Sequence, residues 1–490
     1  MARSAVVGAL VAALVVLSGA AHATDAAAPA LRVTVTQAGM NAGVAAVLPI
    51  INAVLAKGIT LPSRELSVHV PLIGTVDVTL TEIAVSDLHV PAMDLHPVAP
   101  HGLGGGITDM TVQVNVPFTW RQHSWPHIKG HNSVTAGGVG GDISLAMAIS
   151  ADAQGKPSVS PISDSCHFSH FDVKVHGGGG WIFNLFLSLF NGLVKKDVEN
   201  AVGKALGTAV PAALNKALAD LKMVTTIFGG VSRVDLDYGL QGVTSTAALV
   251  SLGDLLSVAD HETAKACPIA PVALPVVAPA NPNNYVQFLL ADSFIQCLGW
   301  VQYVNDALHL HFPQTAFPHM LNTSFWQGVV PGLPKAFPDA AMAMDVTLRG
   351  PPGIHTTSAA GVVGAADVAL NFSVAEAGGA LRHSHTLDCK LDFGAAVSIA
   401  NVNDTATLMF KVTTLALNLT ALDSSFGAVD TAGLDGLFAT VLPLIKDAID
   451  ALLAKGIPLP GSPTGAGVSD PAITMGEGYM AIGLDFKAAA

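Results

Sequence analysis

The stretch at 194–218, "VKKDVENAVGKALGTAVPAALNKAL", decides the fold. Val194, Val198, Val202, Leu206, Val210, Leu214 and Leu218 recur every four residues, with Lys195, Lys196, Asp197, Glu199, Asn200 and Lys204 in the spaces. A helix of 3.6 residues per turn carries such a row round its axis by about 40° at each step. The apolar stripe must therefore wind, or the helix must bend or break near Pro211. A winding stripe suits a long helix wrapped by a curved sheet. Periodicity alone favours a plain core row over a row that lines a ligand.

The flanking sequence supplies the sheet. Strict alternation runs through "LSVHV" (66–70), "VDVTLTEIAV" (76–85), "MTVQVNVPF" (110–118) and "FDVKV" (171–175). It resumes in "AMAMDVTL" (341–348), "DVALNFSV" (367–374), "TATLMFKVTTLALNLTAL" (405–422) and "YMAIGLDF" (479–486). These read as antiparallel strands with one apolar face. Between the two sets lies "CPIAPVALPVVAPANPNN" (267–284), whose prolines deny both helix and central strand and mark an extended linker. Each half also has two helical segments, 41–57 and 181–221 in the first, 293–307 and 431–455 in the second. "VLAKGITLP" (54–62) and "LLAKGIPLP" (452–460) spell the same ending, an apolar helix stopped by glycine and launched into an extended segment.

Composition narrows the class. The first 23 residues, with Arg3, an apolar run from Ala5 to Leu17 and Ala21 and Ala23 around His22, read as a secretory signal peptide. Without Arg3 the chain carries 22 basic against 36 acidic residues, a net charge of −14, so nucleic acid is not an expected partner. Apolar residues make up 51% and charged ones only 12%, yet the best later run, "WIFNLFLSLFNGLV" (181–194), is too short to span a bilayer and carries Asn184 and Asn191. The apolar surplus must be buried or arranged around something apolar. Four cysteines (Cys166, Cys267, Cys297, Cys389) are too few for a disulfide-built scaffold. Acceptor sequons begin at Asn322, Asn371, Asn403 and Asn418, as expected of a glycoprotein.

Five stretches, in order, resemble the bactericidal/permeability-increasing and lipopolysaccharide-binding proteins, with the phospholipid and cholesteryl ester transfer proteins as relatives. They are "GGWIFNLFLSLFNGLVKKDVENAVGKAL" (179–206), "VTTIFGGVSRVDLDYGL" (224–240), "YVQFLLADSFIQCLGWVQYVNDALHL" (285–310), "FPDAAMAMDVTLRGPPGIHTTSAAG" (337–361) and "LPLIKDAIDALLAKGIPLP" (442–460). The resemblance implies an α+β fold of two tandem barrels, each a twisted antiparallel sheet around a long helix, joined by a central sheet and holding a phospholipid in an apolar pocket on each side. It divides the chain into a first barrel (24–222), a central-sheet segment with linker (223–284) and a second barrel (285–490). The two matching nonapeptides then end non-equivalent helices, so they are one local solution used twice. In the family a disulfide ties the strands before the first long helix to that helix. Cys166 matches one partner, but Gly203 occupies the other position, which leaves Cys166 free or differently paired. Cys267 and Cys297 bracket the linker as candidates to pair, with connectivity open.

The antibacterial members of the family present a strongly basic barrel tip to lipid A. The matching hairpin here, "TWRQHSWPHIKGHN" (119–132), offers only Arg121 and Lys129 as permanent cations, with Trp120, Trp125, His123, His127 and His131. That is a weak anion binder near neutral pH; unperturbed imidazoles gain charge below about pH 6. Its indoles suit a membrane interface.

No nucleophile elbow, zincin, Walker or dinucleotide fingerprint is present, so an enzyme is not expected. "CHFSH" (166–170), "RHSHTLDC" (382–389) and His309 with His311 each offer at most three local ligands, and no metal or cofactor is expected beyond bound lipid. "GGGG" (177–180) reads as a hinge more readily than as a phosphate cradle. The expected protein is a secreted or secretory-lumen lipid carrier, a monomer that meets phospholipids or similar amphipaths and, transiently, membranes. The expected acyl-chain contacts of the first barrel are Val44, Leu48, Ile51, Leu55, Leu189, Leu193, Val194, Val198 and Val202. Those of the second are Phe294, Leu298, Val301, Val304, Leu442, Ile445, Ile449 and Leu452. The alternatives are a lipopolysaccharide-binding defence protein of innate immunity and an adhesive surface protein with solidly packed barrels.

Overall fold

A computed structural model of the chain describes residues 30–488 apart from 71–72, 101, 153–154, 177–186, 188–189, 220–222, 229–232, 247–248, 255–256, 271, 276, 280, 282, 403–404, 428–429, 431–433 and 460–465. The signal-peptide reading, Leu189, Asn403 and the 177–180 glycines lie outside the described residues.

Two long hairpins build the first barrel. β7 (Gly102–Gln122) pairs with β8 (Lys129–Ala151), and β8 with β9 (Pro157–His176). Along the other edge of β7 lie β4 (Gly74–Leu80), β5 (Ile83–His89) and β6 (Ala92–Val98), end to end, with β3 (Arg64–Val70) beyond β4 and β2 (Ile59–Leu61) beyond β5. The run at 76–85, read above as one strand, is two: Glu82, at φ +48°, turns the chain between β4 and β5. Alternation sets the inner face, with Met110, Val112, Val114, Val116 and Phe118 of β7 all buried.

Among the described residues two long helices fill that barrel, α1 (Gln37–Leu55) and α2 (Lys195–Ala219), the latter entered through a π-helical turn at Phe190–Val194. All seven members of the four-residue row are buried, while Lys196, Asn200, Lys204, Thr208, Ala212 and Lys216 form an exposed row at the same spacing. The helix runs unbroken through Pro211, so the stripe winds, travelling about 240° round the axis from Val194 to Leu218. Side chains of α2 also complete the edge strand β9. Glu199 accepts the Phe168 amide at 2.9 Å, and Asn215 exchanges two hydrogen bonds with the Val159 backbone at 2.7 and 2.8 Å. Unpaired edge groups would otherwise invite pairing with another chain.

The second barrel repeats the plan. β19 (Gly361–Ala375), β20 (Leu381–Val402) and β21 (Thr405–Ser424) form its wall. β17 (Met342–Leu348) and β18 (Gly353–Thr357) share the outer edge of β19, β16 (Leu310–Phe312) flanks β17, and β22 (Ile457–Pro458) flanks β21. Its long helices are α3 (Asp292–Val304) and α4 (Leu434–Leu453). Between the barrels a six-stranded sheet runs β12 (Leu240–Ser245), β13 (Val250–Asp254), β1 (Leu31–Val35), β15 (Val286–Ala291), β24 (Tyr479–Ala488) and β23 (Ala466–Gly476). β1 and β15, the strands that open the two halves, are antiparallel neighbours at its centre. A small sheet of β10 (Val224–Ile227), β11 (Val234–Asp237) and β14 (Ser257–Asp260) completes the architecture.

The repeated nonapeptide ends α1 and α4. Gly58 at φ +73° precedes β2, and Gly456 at φ +64° precedes β22, the left-handed turn that glycine accepts without a Cβ clash. Cys267 and Cys297 are disulfide-bonded, which ties the proline-rich segment to α3.

Candidate binding cavity and hairpin tip

Buried side chains form two large clusters. One joins the first barrel to the central sheet and reaches α3; the other fills the far end of the second barrel. A cavity of about 170 Å³ lies where they meet. Ile295, Leu298 and Val362 on its walls belong to the first cluster, Val346, Leu391 and Ile445 to the second. Of its lining side chains among the described residues only Gln302 is polar and none is charged. A cavity of about 150 Å³ with comparable aliphatic and aromatic walls stays dry and takes a benzene ring. This one therefore has room for a segment of an aliphatic chain, and each methylene moved there from water gains about 0.8 kcal/mol.

The expected second-barrel contacts divide. Leu298, Ile445 and Ile449 line the cavity. Phe294 and Val301 are buried, but in the first cluster, and Val304 is 40% exposed at the end of α3. The face of α3 turned to the cavity is Ile295, Leu298, Gly299 and Gln302, rotated by one residue from the face read off the sequence. Both sides of this helix are covered, so its apolar pattern does not say which side meets the cavity. Leu442 is half-buried against the second cluster, and Leu452 lies within α4 beside the lining residue Leu453. Sequence reading missed the sheet side of the cavity altogether, although inward positions of β17, β19 and β21 follow from the alternation quoted above.

In the first barrel Val44, Ile51, Leu55, Val194, Val198 and Val202 are buried in one continuous cluster, with Leu48 packed against it. Leu193 is 40% exposed, because it precedes α2 on the π-helical turn and falls off the row. Gly203 and Gly207 of α2 face β9. A Cβ at Gly203 would sit 3.4 Å from the Cβ of Cys166, and one at Gly207 3.1 Å from that of Asp164. Cys166 and Cys389 are free thiols. Burial, then the Glu199, Asp142 and Asp164 carboxylates, push the Cys166 thiol up to about 12; burial and Asp388 do the same to Cys389. Neither is a nucleophile at neutral pH.

At the β7–β8 turn Trp125 is 86% exposed and Ile128 48%. Arg121, His123, His127, Lys129 and His131 are exposed around them. Trp120 is buried instead, since it continues the inward row of Met110 to Phe118 and its indole N–H donates to Asn132 at 3.3 Å. A groove beside the tip carries Arg121, Lys129 and His131 together with Glu65 and Asp77, so acids offset its cations. Hydrogen bonds from His123 and from Ser67 hold the Asp77 carboxyl below the usual carboxylate range.

Other polar clusters have internal partners. His309 and His311 both bond Asp345, and His309 also bonds Asp306, contacts that raise its imidazole above the ordinary value. Among the described residues no group of three or more His, Cys, Asp or Glu side chains is placed to hold a metal ion. Of the sequons, Asn418 is exposed on β21 with its amide on Asp392. Asn371 is bridged between Thr347 and Thr386 in a central strand, and Asn322 is held in a turn by Asp339 and the Ser324 amide.

Two curled half-barrel sheets, each closed over by helices and joined through a shared sheet, define a two-barrel fold of the lipid-binding kind. The chain belongs to the LBP / BPI / CETP family: the family's N-terminal domain matches residues 50–217 and its C-terminal domain residues 242–488. A bactericidal permeability-increasing protein of Sebastes schlegelii is 26% identical over 450 residues, covering 88% of this chain and 90% of that protein. The lipopolysaccharide-binding protein of Homo sapiens is 23% identical over 300 residues, 60% of this chain and 59% of its own. A solved crystal structure of lipopolysaccharide binding protein superposes with a TM-score of 0.59 at 20% identity, over 94% of this chain and 100% of that one, a likeness of fold. Family membership places the chain among proteins that bind or transfer lipids, are not enzymes and use no cofactor.

Proposed function

We propose that this is a secreted, monomeric carrier that holds phospholipid-like molecules with their acyl chains inside the two barrels and exchanges them with membranes. The observation that carries the reading is the uncharged cavity at the seam of the two cores, bounded by α3, α4 and the inner face of the second sheet. In the first barrel the chain contacts proposed are the inward residues of α1 and α2 named above, within the divisions 24–222, 223–284 and 285–490. A bilayer offers acyl chains nearly the environment that such a cavity does, so exchange between the two is close to neutral in free energy and needs no coupled reaction. Trp125 and Ile128 are the proposed point of contact with the membrane, an exposed indole and aliphatic side chain on a hairpin tip. Asn418 is the proposed glycan acceptor, the sequon asparagine that is exposed among the described residues.

A liposome exchange assay with labelled phospholipid, run from pH 5 to 8, tests this. The wild-type chain should move lipid between vesicles across this range. No exchange at any pH overturns the carrier reading. Lipopolysaccharide binding is the second reading, and Arg121 and Lys129 favour it. Glu65 and Asp77 in the same groove weaken it, and tight lipid A binding at neutral pH and moderate salt would reverse that preference.

A further inference from the structure

Among the described residues, every one that lines the second-barrel cavity comes from 295–457 except Phe228. It follows β10, in the small sheet of the preceding part of the chain, and its ring is half-buried against the larger core. Its backbone stands at φ +61°, in the left-handed region that a bulky aromatic residue rarely enters. Strain of that kind persists only where surrounding contacts hold it. Here the same small sheet is fastened to the second barrel. Tyr238, just beyond β11, donates its hydroxyl to the Pro458 carbonyl at 3.3 Å, next to the cavity residue Ile457.

We propose that Phe228 is the end wall of the cavity and sets the length of aliphatic chain it accepts. This rests on the reading of the cavity as an acyl-chain site and adds a specificity determinant to it. Most of the remaining described walls are fixed by strand register and helix packing, whereas Phe228 is a side chain brought in from outside the barrel. Its ring closes the cavity towards the small sheet, so a smaller residue lengthens the space and a larger one shortens it. With no charged side chain on the walls, the site takes the uncharged tail of an amphipath and leaves its polar end elsewhere.

The experiment is calorimetric titration of the full chain with 1-alkanols of 6 to 16 carbons. Phe228→Ala, Phe228→Gly and Phe228→Trp are compared with wild type, and Ile445→Trp serves as a filled-cavity reference that isolates this site from binding elsewhere. Wild-type affinity should rise about fourfold per methylene, the equivalent of about 0.8 kcal/mol, and then level off when the cavity is full. The break should move to chains at least two carbons longer in Phe228→Ala and Phe228→Gly, and to shorter chains in Phe228→Trp. Glycine accepts the left-handed backbone freely, so that variant keeps the test open if alanine disturbs folding. A break that stays at the wild-type length in all three Phe228 variants overturns the proposal while leaving the cavity as a chain site. Alkanol binding that is absent, or unchanged in Ile445→Trp, overturns the chain-site reading itself.

Discussion

The long helices α2 and α4 occupy corresponding places in the two barrels, yet they meet their sheets through side chains of different size. α2 presents Gly203 and Gly207 to β9, so its backbone lies close on the strand, and Glu199 and Asn215 pin it there. α4 approaches its sheet through Ile445, Ile449 and Leu453, and Asp450 fastens it by one bond to the Val412 amide at 2.9 Å. Small residues let a helix settle onto a sheet, whereas branched aliphatic ones hold it off and leave gaps between their ends. Side-chain size on the contact row thus sets how closely each helix lies on its sheet, within one shared plan.

The sharpest way to break this comparison is truncation on each side. Leu206→Ala, in the continuous core, should cost about 3–5 kcal/mol, whereas Leu453→Ala, half-buried beside existing space, should cost about 1–2 kcal/mol. Denaturant midpoints measure both, and equal costs would mean that the two barrels are packed alike. Gly203→Cys sharpens the first half of the contrast. With Cys166 placed for a disulfide, the new thiol should oxidise and add about 3–4 kcal/mol, read by thiol alkylation and by the shift in midpoint. A thiol still open to alkylation under oxidising conditions would show that α2 does not lie as close to β9 as described.

Acid should act on the second barrel through His385. Its ring is buried, stacked on Phe372 at 4.6 Å and set against Trp326 at 4.2 Å, and its Nδ1 is paired with the Ser384 hydroxyl. Burial, then nearby His383, push the imidazole down to about 3. The unfolded chain takes up a proton near pH 6.5 and the folded one does not. The stability tied to neutral His385 is therefore complete above pH 6.5 and falls as pH drops towards 3, by about 3 kcal/mol at pH 4. His385→Phe should remove this component from the pH profile of thermal midpoints, and an unchanged acid slope would refute it. The smallest expected change is at the tip: Trp125→Ser should leave stability within about 0.5 kcal/mol while weakening vesicle binding several-fold in a flotation assay. Undiminished flotation would remove Trp125 from the membrane contact.

Much of the shared plan was legible in the sequence, the contrast between the two helices was not, and the illegible part has physical causes. Alternation and the four-residue row announced long strands around a winding helix, and the proline-rich segment marked the middle. Trp120 also had a readable signal, because it continues the Met110 to Phe118 alternation, yet its place beside Trp125 drew it into the tip. The turn at Glu82 left no trace, since a left-handed glutamate between two alternating runs looks like one longer run. The orientation of α3 was beyond reach because apolar residues cover both its sides. Phe228 was invisible as a wall residue, as contact between segments so far apart in the chain has no period.

The most direct test of a cavity that carries lipid is organic extraction of the purified full chain followed by lipid mass spectrometry, with wild type and Ile445→Trp side by side. The wild-type protein should yield co-purified lipid near stoichiometry, and the filled-cavity variant, still folded, should yield measurably less. No lipid from a folded wild-type chain, or the same complement from both proteins, would contradict the account.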